Sequence, residues 1–250
     1  MIEMVVAVGL FTMITLAGYL LFIAGQSAWM ATDAKVHMQE NMRLASQRIS
    51  AELQESGTNS DGVLQVFITD GGGVNGSDIL RFSVPICICY TSPINEAGDV
   101  QYWGAPLNWG QAGCTDDYPT GQNGKVDICH HPPGNPDNPQ NLSVNVNAVK
   151  AHLAHGDSIG DCGTCDFENF TNRYVEYSLN ANGQMVRRVL DANLSVMAET
   201  VVAESFSNFQ ATVNGANTVV TLSFMLTRQA GQARQLTTSG SLDVYLRNEN

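Results

Sequence analysis

The first 25 residues form an apolar run, MIEMVVAVGLFTMITLAGYLLFIAG, in which Glu3 is the one acidic or basic side chain. About 20 apolar residues are enough to span a bilayer as a helix. A carboxylate inside such a segment costs about 2.5–3.5 kcal/mol on insertion scales, so an intramembrane glutamate marks a functional site by default. The sequence therefore predicts a membrane-length helix whose glutamate has a specific partner.

This run differs from a secretory signal peptide, which begins with a basic segment, because no Lys or Arg precedes Lys35. No Pro interrupts residues 1–55, and the polar second part keeps apolar residues at spacings of three and four. These residues are Met38, Met42, Ala45, Ile49 and Leu53. The pattern predicts one helix of about 55 residues. We expect it to be apolar over residues 1–25 and amphipathic over residues 26–56, with Gly18 and Gly25 as weak points.

The stretch Ile2-Glu3-Met4-Val5-Val6-Ala7-Val8-Gly9-Leu10 resembles the start of a mature type IV pilin or pseudopilin, with a class III-type N-terminal helix. In that family the glutamate is usually the fifth residue of the mature, N-methylated chain. Here it is the third, which indicates either two missing residues or a shifted processing site. The resemblance implies that Glu3 neutralises the terminal amine of a neighbouring subunit in a filament core, where pairing offsets the cost of burial. It also implies processing by prepilin peptidase, a pilus or secretion assembly machinery, and a homopolymer built through the N-terminal helices.

An ordinary single-pass anchor is the alternative for this helix, but an anchor does not require the amphipathic continuation. The composition favours an exported protein, since the net charge is −12 and only 14% of the residues are charged. No cluster of Lys or Arg is present to bind phosphates, which argues against a nucleic-acid partner. The expected locations are the inner membrane before assembly and an extracellular filament on the bacterial surface afterwards.

Apolar patterns separated by Gly- and Asn-rich turns predict strands on both sides of residues 91–172. The predicted strands are Val63–Thr69, Ile79–Tyr90, Arg173–Leu179, Gln184–Leu190, Phe206–Val213, Thr218–Thr227 and Ser241–Leu246. Asn180–Gly183 is expected to join two of them as a hairpin. The expected fold class is α+β and, given the resemblance, pilin-like. The long helix would pack on an antiparallel sheet formed by residues 57–90 and 173–250, and residues 91–172 would form a disulfide-rich, loop-rich insertion.

Six cysteines lie in the middle of the sequence: Cys87, Cys89, Cys114, Cys129, Cys162 and Cys165. An even number in an exported chain predicts a disulfide framework, although the sequence leaves the connectivity open. Cys87 and Cys89 share one face of a predicted strand and are poorly placed to pair with each other. Asp166 follows Cys162-Gly-Thr-Cys165 where covalent haem attachment requires His, so haem is excluded at that position.

Four of the five histidines fall between residues 130 and 155. They belong to two stretches, ICHHPPGNP (residues 128–136) and AVKAHLAHGD (residues 148–157), with Cys162 beyond them. Together these stretches resemble a recurring CHxPPGNP, AVxAHLxHGD, GxC segment of secreted bacterial proteins. That resemblance implies no settled function, so the chemistry has to be read from the residues.

The second stretch predicts a short helix that ends at His155, because Asn145 or Asn147 can cap it and Gly156 can stop it. Residues three apart on a helix share a face, so His152 and His155 would lie side by side. A disulfide between the cysteines at positions 129 and 162 would fold the first stretch back against that face.

The predicted metal ligands are His130, His152, His155 and Asp157, with Asp157 either as a ligand or as the acceptor that fixes a histidine tautomer. Such donors favour zinc or copper over calcium. His131 is a weaker candidate. Two alternatives stay open: the histidines have purely structural roles at the helix end and beneath the disulfides, or calcium binds to carboxylate oxygens. The candidates for calcium are Asp116, Asp117, Asp137, Asp157 and Asp161.

No HExxH, nucleophile-elbow or phosphate-loop pattern is present, so neither enzyme activity nor a catalytic residue is predicted. The expected function is that of a structural subunit of an extracellular filament similar to the type IV pilus, with a metal-stabilised surface insertion. The alternatives are a minor pilin or a type II secretion pseudopilin that acts in priming or adhesion. A membrane-anchored metalloenzyme with a metal-activated water is the least favoured interpretation.

Overall fold

The chain begins with one long helix and continues as antiparallel strands in the computed structural model, which describes residues 2–87, 92–106, 123–135, 138–162, 171–231 and 234–247. The helix, α1 (Ile2–Leu53), has 52 residues and runs without interruption through Gly18 and Gly25. Every strand pair is antiparallel. Both the long N-terminal helix and the α+β class are therefore confirmed.

The two parts of α1 have different surroundings. All side chains from Ile2 to Met30 are exposed, although most are apolar, and the hydroxyls of Thr12 and Thr15 donate to carbonyl oxygens of the preceding turn. The second part buries one stripe against the sheets. Its apolar members are Ala31, Ala34, Met38, Ala45, Ile49 and Leu53. By length and composition the first part is apolar enough to cross a membrane.

A five-stranded sheet covers the end of α1, with the strand order β1, β2, β8, β9, β10. The strands are β1 (Val66–Thr69), β2 (Ile79–Phe82), β8 (Tyr174–Leu179), β9 (Met185–Leu190) and β10 (Val196–Ala203). The predicted hairpin turn joins β8 to β9, and Gly183 there has φ +70°. A Cβ on Gly183 would lie 2.6 Å from the carbonyl oxygen of Phe206, so the close approach of the two chain segments requires glycine.

A second sheet of three strands packs along the middle of α1. It contains β11 (Phe206–Val213), β12 (Val219–Ala230) and β13 (Arg234–Tyr245), in that order. The strand β13 contacts the helix through Gly240, where a Cβ would lie 2.5 Å from the Sδ atom of Met42. The absence of a side chain at position 240 thus lets the helix and the sheet come together around Met42.

Three strand predictions need correction. The strand predicted from Ile79 ends at Phe82, and β3 (Val84–Pro85) pairs with β4 (Trp103–Gly104) in a separate two-stranded sheet. The strand β10 was not predicted, because it is an exposed edge strand without a regular apolar alternation. The strand β13 begins at residue 234 instead of 241, because its polar first half is held by backbone pairing with β12.

A buried ion-pair network connects α1 to the five-stranded sheet. The Glu52 side chain is fully buried and accepts hydrogen bonds from Arg187 of β9 and from the hydroxyl of Tyr177 of β8. Arg48, one turn earlier in α1, lies 2.7 Å from the same carboxylate. Burial and the neighbouring carboxylate raise the pKa of Tyr177 well above its usual value. No local sequence pattern around Glu52 predicts this network.

The region expected to be a loop-rich insertion contains a small sheet of its own. Strand β5 (Lys125–His130) lies between β6 (Gln140–Asn145) and β7 (Ser158–Ile159). The helix α2 (Val149–Ala154) covers it. A separate apolar core holds these elements together: Val126, Ile128, Val149 and Ile159, with Val144 and Leu153 at its margin. The expectation of a loop-rich region was therefore wrong for these residues, because they form three strands and a helix around a common core.

Candidate metal centre

Strand β5 carries His130 as its last residue and Cys129 just before it. Cys129 forms a disulfide with Cys162, and the two Cα atoms are 4.6 Å apart. This bridge ties β5 to the segment that follows β7, and it confirms the pairing considered from the sequence. Because the end of β5 is held by backbone pairing on both sides and by the disulfide, the position of His130 is well defined.

Helix α2 brings His152 to the same place. The side chain of Asn145 accepts a hydrogen bond from the backbone of Asn147 and starts a 3-10 turn (Val146–Ala148) that leads into the helix. Gly156, with φ +92°, reverses the chain after α2. The amide of Asp157 then donates to the carbonyl oxygen of His152 at 3.2 Å, so this carboxylate returns to the helix that it has just left.

Two histidine side chains converge on one carboxylate. The Nδ1 atoms of His130 and His152 lie 2.8 and 2.7 Å from Oδ2 of Asp157. The other oxygen, Oδ1, accepts a hydrogen bond from the backbone N–H of His131 at 2.8 Å. The two imidazole rings are 5.7 Å apart between centroids and nearly perpendicular. We call His130, His152 and Asp157 the His–Asp cluster.

The electrostatics of the His–Asp cluster keep the carboxylate ionised. The Asp157 side chain has no exposed surface, and its burial acts to raise the pKa. The hydrogen bonds from His130, from the backbone of His131 and from His152 outweigh that effect and lower the pKa from 3.8 to about 2. Each imidazole is about one quarter exposed, so both histidines remain open to solvent.

The Nδ1 to Oδ2 distances of 2.8 and 2.7 Å are those of hydrogen bonds. Two ligand atoms bound to one tetrahedral zinc ion would lie farther apart, at about 3.3 Å. With both Nδ1 atoms donating to Asp157, the lone pair of each neutral imidazole is on Nε2. A carboxylate that accepts from Nδ1 fixes the tautomer of a metal-binding histidine in many metal sites. In this hydrogen-bonded arrangement the Nε2 atoms face away from Asp157. The ligand atoms of His130, His152 and Asp157 lie within 4.8 Å of one another, so a metal ion that displaces the hydrogen-bonded protons can take all three residues as ligands.

The remaining predicted ligand, His155, lies outside the His–Asp cluster. Helix α2 ends at Ala154, and the exposed His155 side chain lines a separate open cleft together with His131 and the Pro132–Pro133–Gly134 turn. The Nε2 atom of His131 is 3.7 Å from the Sγ atom of Cys129. His131, the weaker candidate from the sequence, contributes its backbone N–H to the cluster.

Other predicted site residues are distributed as follows. Cys87 is disulfide-bonded, and no cysteine among the described residues is free. Cys89, Cys114 and Cys165 lie outside the described residues, as do the calcium candidates Asp116, Asp117 and Asp137. Glu3 is exposed in the first turn of α1.

Comparison with protein families, with curated proteins and with solved structures finds no match to this chain.

Proposed function

We propose that this protein is a subunit of an extracellular filament of the type IV pilus kind, held in the inner membrane before assembly and polymerised through α1. One observation carries the proposal: all side chains from Ile2 to Met30 are exposed, whereas the rest of the same helix is packed on two sheets. Such a large apolar surface does not persist in water on a soluble monomer, so it has to be covered by lipid or by other chains.

The polar groups of the exposed half are suited to both environments. In a bilayer or a helical core, a hydroxyl group needs a partner within its own segment. The hydroxyls of Thr12 and Thr15 have such partners at 2.7–3.0 Å. Among the described residues the Glu3 carboxylate has no such partner, and we propose that it pairs with the terminal amine of a neighbouring subunit. Processing by a prepilin peptidase and assembly by a pilus or secretion machinery belong to the same proposal.

The inserted sheet would then lie on the filament surface. We propose that a divalent ion, zinc or copper, displaces the hydrogen-bonded protons of the His–Asp cluster and binds to His130, His152 and Asp157 as ligands. The bound ion would connect β5 to α2 at the edge of a core of only four buried residues. The alternative is that the His–Asp cluster acts as a hydrogen-bonded link without metal.

A second candidate function is a minor pilin or secretion pseudopilin, which is present in few copies and acts in priming or adhesion. The inserted sheet favours it, because a unit with its own core and disulfide is more than a filament core requires. A membrane-anchored metalloenzyme is the third interpretation. It would keep its activity when Glu3 is replaced and lose it when His152 is replaced.

Replacing Glu3 with Ala tests the proposal. A major subunit should lose bulk filaments, because the unpaired amine would remain in the apolar core. Glu40→Ala is the matched control, since Glu40 is exposed on the polar part of the same helix. Bulk filaments that persist in E3A, with only priming or adhesion changed, would support the minor-subunit function. Equal filament yields and adhesion in E3A and wild type would contradict both.

A further inference from the structure

The end of β12 lies beside the point where α1 leaves the folded part of the protein. Ala230 of this hairpin packs with Ala31 and Ala34 of the helix. A Cβ placed on Gly231 would lie 3.4 Å from the Sδ atom of Met30. Because Met30 is the last residue of the fully exposed half of α1, the end of β12 marks the boundary between the apolar helix and the domain.

Three cations surround this boundary: Lys35 on α1, and Arg228 and Arg234 on the two strands of the hairpin. Within the described ranges, these side chains have no hydrogen-bond or ion-pair partner. Asp33, at the same level of the helix, lies 3.6 Å from His37. The whole protein has 12 basic and 24 acidic residues, so this end differs in charge from the chain as a whole.

The position along the helix matches the lipid headgroups. The apolar run ends at Gly25, and Met30 lies five residues further, a rise of about 7 Å. The headgroup layer of one leaflet is about 5–7 Å thick. Trp29 is 74% exposed at this level, and exposed tryptophans are enriched at membrane interfaces. A helix that spans the bilayer with residues 2–25 therefore brings the hairpin turn to the headgroup surface.

We infer that the β12–β13 hairpin docks on anionic phospholipid headgroups through Arg228 and Arg234, with Lys35 beside them, while the subunit is held in the membrane. The inference rests on the membrane-held stage of the proposed function. Cations near an anionic leaflet contribute electrostatic binding that salt screens. The contact would fix the distance and tilt of the folded domain relative to the membrane before the helix is withdrawn into a filament.

The test uses the full chain in vesicles of phosphatidylcholine alone or with phosphatidylglycerol added. A fluorophore on Gln229→Cys, an exposed position of the hairpin, reports contact with headgroup-labelled quencher lipids. We expect stronger quenching with phosphatidylglycerol than with phosphatidylcholine alone, and loss of this difference at high salt. Each cation should change the contact equilibrium about fivefold, so Arg228→Gln with Arg234→Gln should lower it about 20–30-fold. Lys125→Gln, an exposed lysine of the inserted sheet, is the control and should change nothing.

Three results would overturn the inference in different ways. A chain that alkaline carbonate extracts from the vesicles contradicts both the membrane-held stage and the lipid contact. A chain that resists carbonate but shows equal quenching in both vesicle types, or none, contradicts the lipid contact alone. If the double variant keeps its quenching but associates less with other copies of the chain, the two arginines belong to a protein interface instead.

Discussion

Arg187 donates from Nε to both carboxylate oxygens of Glu52, at 2.8 and 3.0 Å, and so joins strand β9 to the last turn of α1. The Glu52 side chain is fully buried and that of Arg187 is 7% exposed. Breaking a buried ion pair on one side leaves an uncompensated charge, which is the costly event. This pair therefore makes the docking of the helix on the sheet sensitive to single substitutions.

We predict that Arg187→Met lowers the free energy of unfolding by about 1.5–3 kcal/mol, because the buried carboxylate loses one charged partner and keeps Arg48 and Tyr177. Replacing all three partners, Glu52→Met and Arg187→Met with Tyr177→Phe, removes the charges and the Tyr177 hydroxyl together and should recover part of this loss. Denaturant unfolding of the full chain in detergent measures both. The control is Arg247→Met, which breaks an exposed pair with Glu55 and should cost less than about 1 kcal/mol. Equal losses in R187M and R247M would contradict the buried network.

Gly240→Ala is predicted to lower the free energy of unfolding by about 1–3 kcal/mol, because the added methyl group would overlap Met42. Met42→Ala in the same chain should relieve part of this cost, which a double-mutant cycle measures as a coupling energy. Gly215→Ala is the matched control, since a Cβ there meets no atom within 4 Å. Additive effects of G240A and M42A would show that the helix and β13 do not meet as described.

The lowered pKa of Asp157 gives a pH dependence with a defined sign. Folding lowers this pKa from 3.8 to about 2, so the folded state favours the ionised carboxylate. The resulting stability, up to about 2 kcal/mol, is present above pH 4 and is lost as the pH falls from about 4 to about 2. In Asp157→Asn the free energy of unfolding, measured with denaturant at each pH, should change less between these two pH values than in the wild type. Asp127→Asn, an exposed carboxylate on β5, should leave it as in the wild type.

If the His–Asp cluster binds a metal ion, substitutions of His152 and of His155 should have different effects on metal affinity. His152→Ala and Asp157→Asn should each weaken zinc or copper binding strongly, and His155→Ala should have little effect, since its side chain lies outside the His–Asp cluster. Titration calorimetry of the full chain measures the affinities. Removal of the ion by a chelator should lower the melting temperature of the inserted sheet. Unchanged thermal stability after chelation would contradict the stabilising role, and equal losses in H152A and H155A would contradict the ligand assignment.

The long helix and most strands could be predicted because their signals are local. The spacing of Met38, Ala45, Ile49 and Leu53 marks the buried face of α1, and Asn180–Gly183 marks a hairpin. The His–Asp cluster was also within reach of the sequence, since the turn at Gly156 and the disulfide of Cys129 follow from short motifs. These short motifs explain why three of the four predicted ligands, His130, His152 and Asp157, lie close together.

The features that were missed depend on distant parts of the chain. Glu52 is separated from Arg187 by 135 residues, and the residues of the last turn of α1 do not indicate which side chain pairs with it. Its position three residues after Ile49 does place it on the buried face of the helix. The polar first half of β13 forms a strand only because β12 is beside it. Within the inserted region, the alternation of Val126 and Ile128 with polar residues is typical of a strand. It predicts β5 independently of the neighbouring Cys and His motifs.

We propose that the exposed half of α1 builds a filament in which this chain is the repeating unit. Quantitative mass spectrometry of filaments sheared from the cell surface tests it most directly, because it gives the fraction of filament protein that this chain contributes. The account predicts that the chain is the dominant component, with the inserted sheet on the filament surface. A trace amount would contradict the structural role and assign the chain to priming or adhesion, and its absence from all filaments would contradict the account as a whole.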